Sequence, residues 1–453
     1  MKIITYFFTL SLSLFFLACA NHQEGNALYE QALVQKFCSQ EFLSVEKKKI
    51  EKNDDVIYTG LNAGSIARNC DEFEQSNYFL DKAEEAYKYD VDLENLASKG
   101  AKSIGTTLLN ESIVDYQGTL YERIMVNVYK GLNFMSLQDF ENARVEFNRA
   151  LMRQDKAKEY FRSEIDANKA EFEEAKKTEN FEQNMGGNYG NIMGEYEHLL
   201  KDFDTTKNFI NPYATYMAAL FFFLDEDFVR AADLFKEVAV IKAKNKEFDK
   251  EFKVFNQHAN SLNPSNLKKY IFVVYEGGFG TALSEFSFTI PLNFNNQIIT
   301  STFTLPTLIK RDSSYASLSA NDEKTEFLVS FDDIVATEFK TELPSKVAKA
   351  ISSTIVKTSL NVAVAKNDPT GGLLSLATSL VTSSINRADL RYWTSLPKYA
   401  QVLMIENTGR IDIRTENGIL IYQNEEIDQA KNTIVMVRSF TPYLPAKAWL
   451  IQK

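Results

Sequence analysis

The stretch YKGLNFMSLQDFENARVEFNRALMRQ, residues 129–154, decides the fold of this chain. Small residues let two antiparallel helices approach closely, and phenylalanine rings fill the groove that remains between them. Both kinds of residue recur here at the spacing of such a pair: Gly131, Phe134, Phe140, Ala143, Phe147 and Ala150. The stretch therefore predicts two packed helices that form one unit of a helical scaffold.

Two more copies of these offsets flank the central unit. They are Gly64, Ala67, Phe73, Ser76, Leu80 and Ala83 upstream, and Ala219, Phe222, Phe228, Ala231, Phe235 and Val238 downstream. Equivalent small residues are 67 and 88 residues apart, about two and two and a half times the roughly 34-residue period of tetratricopeptide-type repeats. We predict an interrupted array of this type over residues 27–262. The alternative, ordinary amphipathic helices, would carry leucine at the small positions as readily as glycine or alanine.

The N-terminal residues 1–18 form a predicted secretory signal peptide. One positive charge precedes an apolar run that is too short for an ordinary membrane span. Residues 16–19, FLAC, resemble the bacterial lipobox, whose cysteine is acylated and becomes the new N-terminus. The resemblance implies acyl chains such as palmitate on Cys19, a tether of residues 19–26 and, because Ala20 follows, attachment to the outer membrane. The alternative is cleavage by ordinary signal peptidase, which would leave a secreted protein without a lipid.

Composition limits the function of the mature chain, which has about 435 residues. That length is sufficient for two or three domains with separate cores. The formal net charge of −11 argues against nucleic acid as a partner, because phosphate binding requires a basic face. After the signal peptide the sequence has no long apolar run, so the predicted membrane attachment is the N-terminal lipid.

Cys38 and Cys70 are the cysteines that remain after Cys19. An exported protein meets an oxidising compartment, in which an even pair of cysteines often forms a disulfide. Such a bridge would tie the helix before the first repeat onto the array. The alternative, two buried thiols, stays open at the level of sequence.

The composition changes at Asn263-Pro264, where we predict the start of an α+β domain over residues 263–453. Alternating or continuously apolar segments predict strands at residues 269–275, 286–294, 298–305, 327–331, 399–405, 410–415, 418–422 and 433–439. Their turns favour a small antiparallel sheet or a sandwich. The predicted fold class is thus α+β multidomain, with an all-α repeat array followed by a β-rich domain.

Two segments are interpreted from their prolines and glycines. Leu343-Pro344 would open a helical hairpin over residues 344–387, whose small residues would pack against the sheet or another copy of the chain, or would contact a membrane. Residues 184–190, NMGGNYG, predict a flexible loop, because they lack the preceding strand and following lysine of a phosphate-binding loop.

Residues 389–397, DLRYWTSLP, follow the predicted hairpin. Asp389 and Arg391 suit an ion pair, and Trp393 suits stacking on the guanidinium group. We predict that this structural motif, which ends at Pro397, fixes a loop between helix and sheet.

Several motifs together resemble a family of bacterial tetratricopeptide-repeat-containing envelope lipoproteins. They are the lipobox, Asp55-Val56-Ile57-Tyr58 with Gly64, the segment from Asn133 to Gln154, Asn211-Pro212-Tyr213-Ala214, Val274-Tyr275-Glu276-Gly277-Gly278 and Asp389-x-Arg391-x-Trp393-x-x-Leu396-Pro397. The resemblance covers nearly the whole mature chain. It implies no activity, since that family has none established. By analogy of setting, it places the chain beside lipoproteins that regulate peptidoglycan synthesis or support outer-membrane machines.

The sequence offers little for catalysis. His22, His198 and His258 stand apart, and Glu195 and Glu197 beside His198 would not converge on a metal from one helix. Zinc-protease, nucleophile-elbow and paired-cysteine motifs are missing from the sequence. We therefore predict no enzyme, no cofactor and no metal site.

These patterns predict a non-catalytic, lipid-anchored periplasmic scaffold or adaptor of the cell envelope. Its array would bind an unidentified envelope protein, and its β-rich domain would make a second contact or self-associate. The alternative is a lipoprotein that binds envelope glycan or regulates peptidoglycan synthesis, with an enzyme ranking below it. The predicted orientation on the outer membrane is periplasm-facing, with surface display left open.

Overall fold

The computed structural model describes residues 22–35, 38–87, 115–177, 181–206, 210–294, 297–366 and 388–453, which form an α+β protein. The helices are α1 (His22–Val34), α2 (Gln40–Glu51), α3 (Val56–Asn69), α4 (Phe73–Tyr87), α5 (Leu120–Ser136), α6 (Phe140–Ala175), α7 (Phe181–Leu199), α8 (Pro212–Leu224), α9 (Phe228–Ile241), α10 (Lys246–Ala259) and α11 (Phe331–Lys366). The strands are β1 (Tyr270–Gly277), β2 (Ala282–Phe294), β3 (Gln297–Ile309), β4 (Leu318–Ala320), β5 (Glu323–Lys324), β6 (Glu326–Ser330), β7 (Tyr399–Glu406), β8 (Ile411–Thr415), β9 (Leu420–Asn424), β10 (Thr433–Ser439) and β11 (Lys447–Gln452).

The helical part begins inside the predicted tether of residues 19–26. Helix α1 starts at His22, and its residues Tyr29, Ala32 and Leu33 are buried in the main hydrophobic core. That packing explains why a segment with few strong helix signals is ordered into a helix. The predicted signal peptide and Cys19 lie outside the described residues.

Three helix pairs share one turn geometry. After α3, α5 and α8 the chain turns through residues in the left-handed conformation, Asp71, Gln138 and Glu226, with φ of 63°, 61° and 62°. In each turn the next N–H donates to the carbonyl five residues earlier, on Ala67, Phe134 and Phe222, at 3.0, 2.8 and 2.9 Å. This is the Schellman closure of a helix C-terminus. The three turns are therefore equivalent, and they recur at the intervals of 67 and 88 residues that the small residues have.

The small residues lie where the helices of a pair touch. A Cβ atom added to Gly64 would lie 2.9 Å from Leu80, and one added to Gly131 would lie 2.8 Å from Phe147. Both distances are too short for two carbon atoms, so the pairs need glycine at these positions. Among the other predicted packing residues, the fully buried ones are Ala83, Ala143, Phe147, Ala150, Ala219, Ala231 and Phe235, with Phe228 nearly so and Phe73, Phe134 and Phe140 partly buried.

The largest sheet is mixed rather than antiparallel throughout. Its strand order is β11-β10-β1-β7-β6, and β1 is parallel to β10 but antiparallel to β7. The sequence predicted neither the parallel pair nor strand β11. A second sheet has the order β5-β4-β8-β9, and β2 pairs with β3 in a two-stranded sheet.

The helices and the largest sheet share one hydrophobic core. Phe272 and Val274, on one face of β1, belong to the cluster that includes the helix pairs. Ile271 and Val273, on the other face, pack with residues of the β4 and β8 strands in a separate cluster. Because both faces of β1 are covered, its sequence is continuously apolar instead of alternating.

A further hydrophobic cluster is formed by α7, the β2–β3 hairpin and α11, which we call the hairpin module. Phe288, Ile290 and Phe303, which share one face of the hairpin, pack against the two helices and are buried. On the opposite face, Ser287, Thr289 and Thr300 are exposed. The module therefore has a helical side and a polar, solvent-facing sheet side.

The predicted loop at residues 184–190 is wrong, because these residues belong to α7. Glycines disfavour a helix by about 1 kcal/mol each, but packing can override that preference. Here Ile192 and Tyr196 of the same helix are buried against the hairpin. The Asn188 amide also donates to the Pro291 carbonyl at 3.2 Å.

The predicted start of a helix at Leu343-Pro344 is also wrong. Helix α11 begins at Phe331 and continues through Pro344 without a break. Phe339, Leu343 and Val347, on both sides of the proline, are buried in the hairpin module, and this packing outweighs the hydrogen bond that proline cannot make. Residues 367–387, the predicted returning arm of the hairpin, lie outside the described residues.

Glycine-to-alanine substitutions should change stability in opposite directions at a glycine in a tight helix contact and at a glycine with free space around it. Gly190→Ala, with no atom within 4 Å of the added Cβ, is expected to raise the free energy of unfolding by about 0.5–1 kcal/mol, because alanine favours the helix. Gly60→Ala is expected to lower it by about 1–3 kcal/mol, because its Cβ would lie 2.7 Å from the Phe79 carbonyl oxygen. Urea unfolding measures both; a stabilised Gly60→Ala protein would contradict the close approach of α3 and α4.

Candidate functional site

Residues 388–398 lie on the helices α1, α3 and α5. The Asn62 side chain of α3 accepts hydrogen bonds from the Thr394 N–H at 3.0 Å and the Thr394 hydroxyl at 2.8 Å, and donates to the Tyr392 carbonyl at 3.4 Å. Asn26 of α1 donates to the Leu390 carbonyl at 2.7 Å. Asparagine side chains thus hold the backbone of an irregular segment, as in the binding of a peptide by a protein groove.

Arg391 anchors this segment through two carboxylates. Its guanidinium donates to Asp389 at 2.9 and 2.8 Å, and to Asp55 at 2.8 Å, while only 3% of its side chain is exposed. Burial alone would lower the pKa of Arg391, but Asp389 and Asp55 outweigh burial and raise it. Burial raises the pKa of Asp55, and the arginine opposes that rise. The buried arginine is therefore charged and doubly paired.

The aromatic partner of Arg391 differs from the predicted one. Its guanidinium lies 5.6 Å from the ring centroid of Tyr116, so the predicted stacking on Trp393 is wrong. The Trp393 ring is instead buried edge-on against Tyr129 at 5.6 Å, and its indole N–H donates to the Ser65 hydroxyl at 2.6 Å. The Trp393 ring thus fills space in the apolar core, and its one polar group, the indole N–H, has a hydrogen-bond acceptor.

Glu122 joins the segment to the start of α5. One carboxylate oxygen accepts from the Trp393 N–H at 2.8 Å, and the other accepts from the Tyr116 hydroxyl at 2.7 Å and the Thr119 N–H at 2.9 Å. Thr119 and Glu122 form a capping box at this helix. Burial raises the pKa of Glu122, while these hydrogen bonds oppose the rise. One buried carboxyl group therefore fixes both a helix start and the segment.

The C-terminal end of segment 388–398 contacts a turn that follows β1. Gly280 donates its N–H to the Leu396 carbonyl at 2.8 Å, and a Cβ on Gly280 would lie 2.8 Å from the Pro397 carbonyl oxygen. Gly278 has a φ of +73°, which favours glycine. The turn that follows β1 thus leaves room for Pro397, as the predicted loop between helix and sheet requires.

The residues that hold the segment were mostly missed by sequence analysis. The sequence predicts a structural motif of Asp389, Arg391, Trp393 and Pro397. It does not predict the residues that bind this motif, which are Asn26, Asn62, Ser65, Glu122 and Asp55. A lone asparagine within an apolar helix is the one signal that could have pointed to a buried polar contact. It would not have identified a partner more than 300 residues away along the chain.

A disulfide joins Cys38, just before α2, to Cys70 at the end of α3, with 5.4 Å between their Cα atoms. It closes a loop of 32 residues and holds the first two helices on the helix pairs. This is one of the two possibilities that the sequence left open.

A buried charge cluster lies between α4, α5 and α6. The ammonium group of Lys130, whose side chain is 1% exposed, lies 2.6 Å from Asp81, 2.6 Å from Glu84 and 3.0 Å from Glu146. Arg153 pairs with Glu84 at 3.1 Å. Burial alone would raise the pKa of Glu84, but Lys130 and Arg153 outweigh it and lower that pKa to about 2. Lys130, Glu84 and Glu146 are internal, so the role of the cluster is to join three helices.

The residues considered for catalysis are placed apart. His258 is buried beside Phe223, with 4.7 Å between the ring centroids, and burial lowers its pKa. His198 is exposed in the last turn of α7. Within the described ranges, no three histidine, cysteine, aspartate or glutamate side chains form a group that could hold a metal ion. Nor is any helix of those ranges long and apolar enough to cross a membrane.

Helix α10 carries two adjacent carboxyl groups that face the sheet. Glu251 is fully buried and accepts from the Tyr216 hydroxyl at 2.9 Å. Glu247 accepts from the Met404 N–H at 2.7 Å and pairs with Lys250 at 2.8 Å. Burial, and then the charge of Glu247, raise the pKa of Glu251 well above its usual value. Ionisation of Glu251 is therefore disfavoured where α10 meets strand β7.

Glu251→Gln should change the pH dependence of stability. A carboxyl group whose pKa is raised by folding contributes fully below its unfolded pKa, and that contribution is lost as the pH rises through the folded pKa. From the usual carboxyl pKa to alkaline pH, the difference in free energy of unfolding should therefore move steadily in favour of the glutamine protein. Denaturant unfolding across this range tests the expectation, with Asp249→Asn on the exposed face of α10 controlling for the loss of one charge. A constant difference would contradict the raised pKa of Glu251.

Known proteins do not help to interpret these sites. Comparison of the chain with family models, with curated proteins and with solved structures returned no match. The function is therefore argued from the sequence patterns and the geometry.

Proposed function

We propose that this protein is a non-catalytic, lipid-anchored scaffold of the bacterial envelope, built on an array of tetratricopeptide-type repeats. The repeat classification rests on the three equivalent turns, each following a small residue by seven positions. The lipid anchor on Cys19 and the outer-membrane location rest on the lipobox resemblance. The scaffold role rests on the surface that the fold leaves available to a protein partner.

The inner side of the helix pairs is not that surface. Residues 388–398 and the largest sheet cover α3, and every residue of α8 is buried. A partner on this side would have to displace Arg391 from two carboxylates and Trp393 from the core. The partner surface is therefore sought outside the array, on the hairpin module.

The single observation that carries the proposal is the open edge of strand β2. Pro291, which has no N–H, accepts at its carbonyl from Asn188, and the Asn293 N–H donates to Asn184 of α7. Odd-numbered residues of β2 thus direct their backbone groups away from β3. Closer to the base of the hairpin, the outward backbone groups of Ser287 and Thr289 make no hydrogen bond within the described part of the chain.

An unpaired strand edge is a template for another strand. A partner segment that added to β2 would gain main-chain hydrogen bonds along the edge and could contact the hydroxyl-rich outer face, which includes Thr289 and Thr300. The helices behind the hairpin hold the edge in place. Strand addition by an envelope protein is the contact that this geometry favours.

Two proline substitutions test this contact. Ser287→Pro removes an outward N–H from the β2 edge without removing a β2–β3 hydrogen bond, so it should abolish strand addition. Thr300→Pro, at the outward parity of β3 opposite Pro291, is the matched control on the other edge. A photo-crosslinking residue at Thr289 of the full-length lipidated protein should capture one envelope protein, and Ser287→Pro should abolish that product while Thr300→Pro preserves it.

Two results would contradict strand addition at β2. If both proline proteins unfold at the wild-type temperature and retain the same crosslinked product, the β2 edge is not the contact. If no envelope protein is crosslinked from Thr289 in any form, the scaffold role at the hairpin is overturned.

A carbohydrate platform is less well supported. It would need exposed aromatic rings side by side on a sheet. Of the large side chains that are exposed in the described ranges, Phe327 is the aromatic one that lies on a strand, and the other exposed aromatic, Tyr443, lies on a loop.

A further inference from the structure

Helix α1 begins three residues after Cys19. Three peptide units span at most about 11 Å between Cα atoms. Acyl chains on Cys19 would therefore hold the first turn of α1 at the membrane surface. A long tether, which would let the protein move away from the lipid, is not available between these two positions.

The orientation of α1 on the rest of the protein is fixed. Asn26 donates to the Leu390 carbonyl at 2.7 Å and accepts from the Tyr58 hydroxyl at 2.6 Å. Glu30 accepts from Arg311 at 2.6 Å and from the Tyr392 hydroxyl at 2.8 Å. A membrane that holds the start of α1 therefore also sets the orientation of the helix pairs.

The outward face of α1 is nearly uncharged. Among the side chains of α1 that the structure describes, the exposed ones are Gln23, Glu24, Ala27, Leu28, Gln31 and Val34, and Glu24 is the charged one of these. Leu28 is 40% exposed and Val34 is 38% exposed. In contrast, the exposed residues of α2 include four charged ones: Glu41, Lys47, Lys48 and Glu51. The face next to the lipid site thus lacks the charges that the neighbouring helix presents to water.

We propose that the exposed face of α1 rests on the lipid surface to which Cys19 is anchored. The inference depends on the proposed lipidation. A helix in the membrane interface buries apolar side chains at the headgroup boundary, and a lipid anchor beside it adds a further attachment. In this protein Leu28 and Val34 are the exposed apolar side chains, and the proposed acyl chains on Cys19 are the lipid anchor. The protein is thereby held flat against the bilayer through α1 rather than suspended from it.

Spin labels on single engineered cysteines test the proposal. Cys38 and Cys70 are joined, so in the acylated protein a new cysteine is the thiol available for labelling. Gln31→Cys places the label on the outward face of α1, and Val240→Cys places it on an exposed position of α9, which is 70% exposed. The full-length lipidated protein is reconstituted in vesicles of phosphatidylethanolamine and phosphatidylglycerol. Power saturation then compares collisions with oxygen, which enters lipid, and with a nickel chelate, which stays in water.

At Gln31 we expect the ratio of oxygen to nickel collisions to rise severalfold when the lipidated protein is bound to vesicles, compared with a soluble Cys19→Ala protein that carries the same label. At Val240 the ratio should be the same in both proteins. Mass spectrometry of the N-terminal peptide separates the two ways to fail. A diacylated Cys19 with a water-exposed label at Gln31 overturns the α1 contact alone, whereas an unmodified Cys19 overturns the lipid anchor and this inference with it.

Discussion

Replacement of Lys130 by alanine is expected to lower the free energy of unfolding by about 3–5 kcal/mol, because removing one partner of a buried ion pair leaves uncompensated charge in the interior. The ammonium group lies within 3.0 Å of Asp81, Glu84 and Glu146, and Glu84 and Glu146 are themselves buried. Without the lysine, Glu84 keeps Arg153 and Glu146 keeps Arg149, but both of those arginines lie closer to solvent. The α4–α5–α6 junction should therefore loosen.

Urea unfolding followed by circular dichroism measures the effect. Lys82→Ala removes an exposed lysine that pairs with Glu85 on the same helix, and it should change stability by no more than about 0.5 kcal/mol. The wild-type protein should also lose stability in acid: because the pKa of Glu84 is lowered to about 2, its contribution is present above the usual carboxyl pKa and disappears as the pH falls toward 2. A Lys130→Ala protein as stable as the control would mean that the cluster is hydrated.

Trp393→Ala is expected to lower the free energy of unfolding by a similar amount, about 3–5 kcal/mol, because it leaves a cavity the size of an indole ring. Trp393 is 1% exposed and is the largest fully buried side chain among the described residues. Its loss would also leave the Ser65 hydroxyl without the indole N–H. Since Glu122 binds the backbone of Trp393, the change should loosen segment 388–398 from α5 as well.

Tyr443→Ala provides the control for this substitution. Tyr443 is 94% exposed, so removal of its ring should have almost no effect on unfolding. Hydrogen exchange should show the Trp393→Ala effect first in α1, α3 and α5, which contact segment 388–398. If protection is lost uniformly across the molecule with no early loss in those helices, the segment is not what holds them.

The helix pairs could be predicted because their information is local. Gly64, Gly131 and Ala219 mark the close approach of two neighbouring helices, and the turn that follows each of them has one left-handed residue. The hairpin strands were predicted for the same reason, since period-two alternation records which side of a strand is buried.

Local rules failed where packing between distant segments decided the outcome. The glycines near Gly190 indicate a loop, and Pro344 indicates a helix start, yet both lie within helices that pack on the hairpin. The parallel pairing of β1 with β10 joins segments that are 162 residues apart, as between Ile271 and Thr433. No short pattern in either strand records that neighbour.

Only part of the candidate site could be predicted from the sequence. Arg391 and Trp393 were recognised as a structural motif, but the ring beside the guanidinium and the receptor on α1, α3 and α5 belong to segments that lie far from it in sequence. The open β2 edge could not be inferred, because an alternating strand gives no sign of whether a neighbour lies on its second side.

The attachment of residues 388–398 to α1 also affects the order of folding. Asn26 and Leu390 are separated by 364 positions, so ribosomal synthesis of most of the chain is complete before this contact can form. Such distant contacts slow folding, because a long loop must close before they form. During that delay the inner sides of α3 and α5 lack their cover, and a nascent chain that stalls before residue 388 would expose them to proteases and aggregation. Maturation of the N-terminal helices therefore waits for the synthesis of segment 388–398.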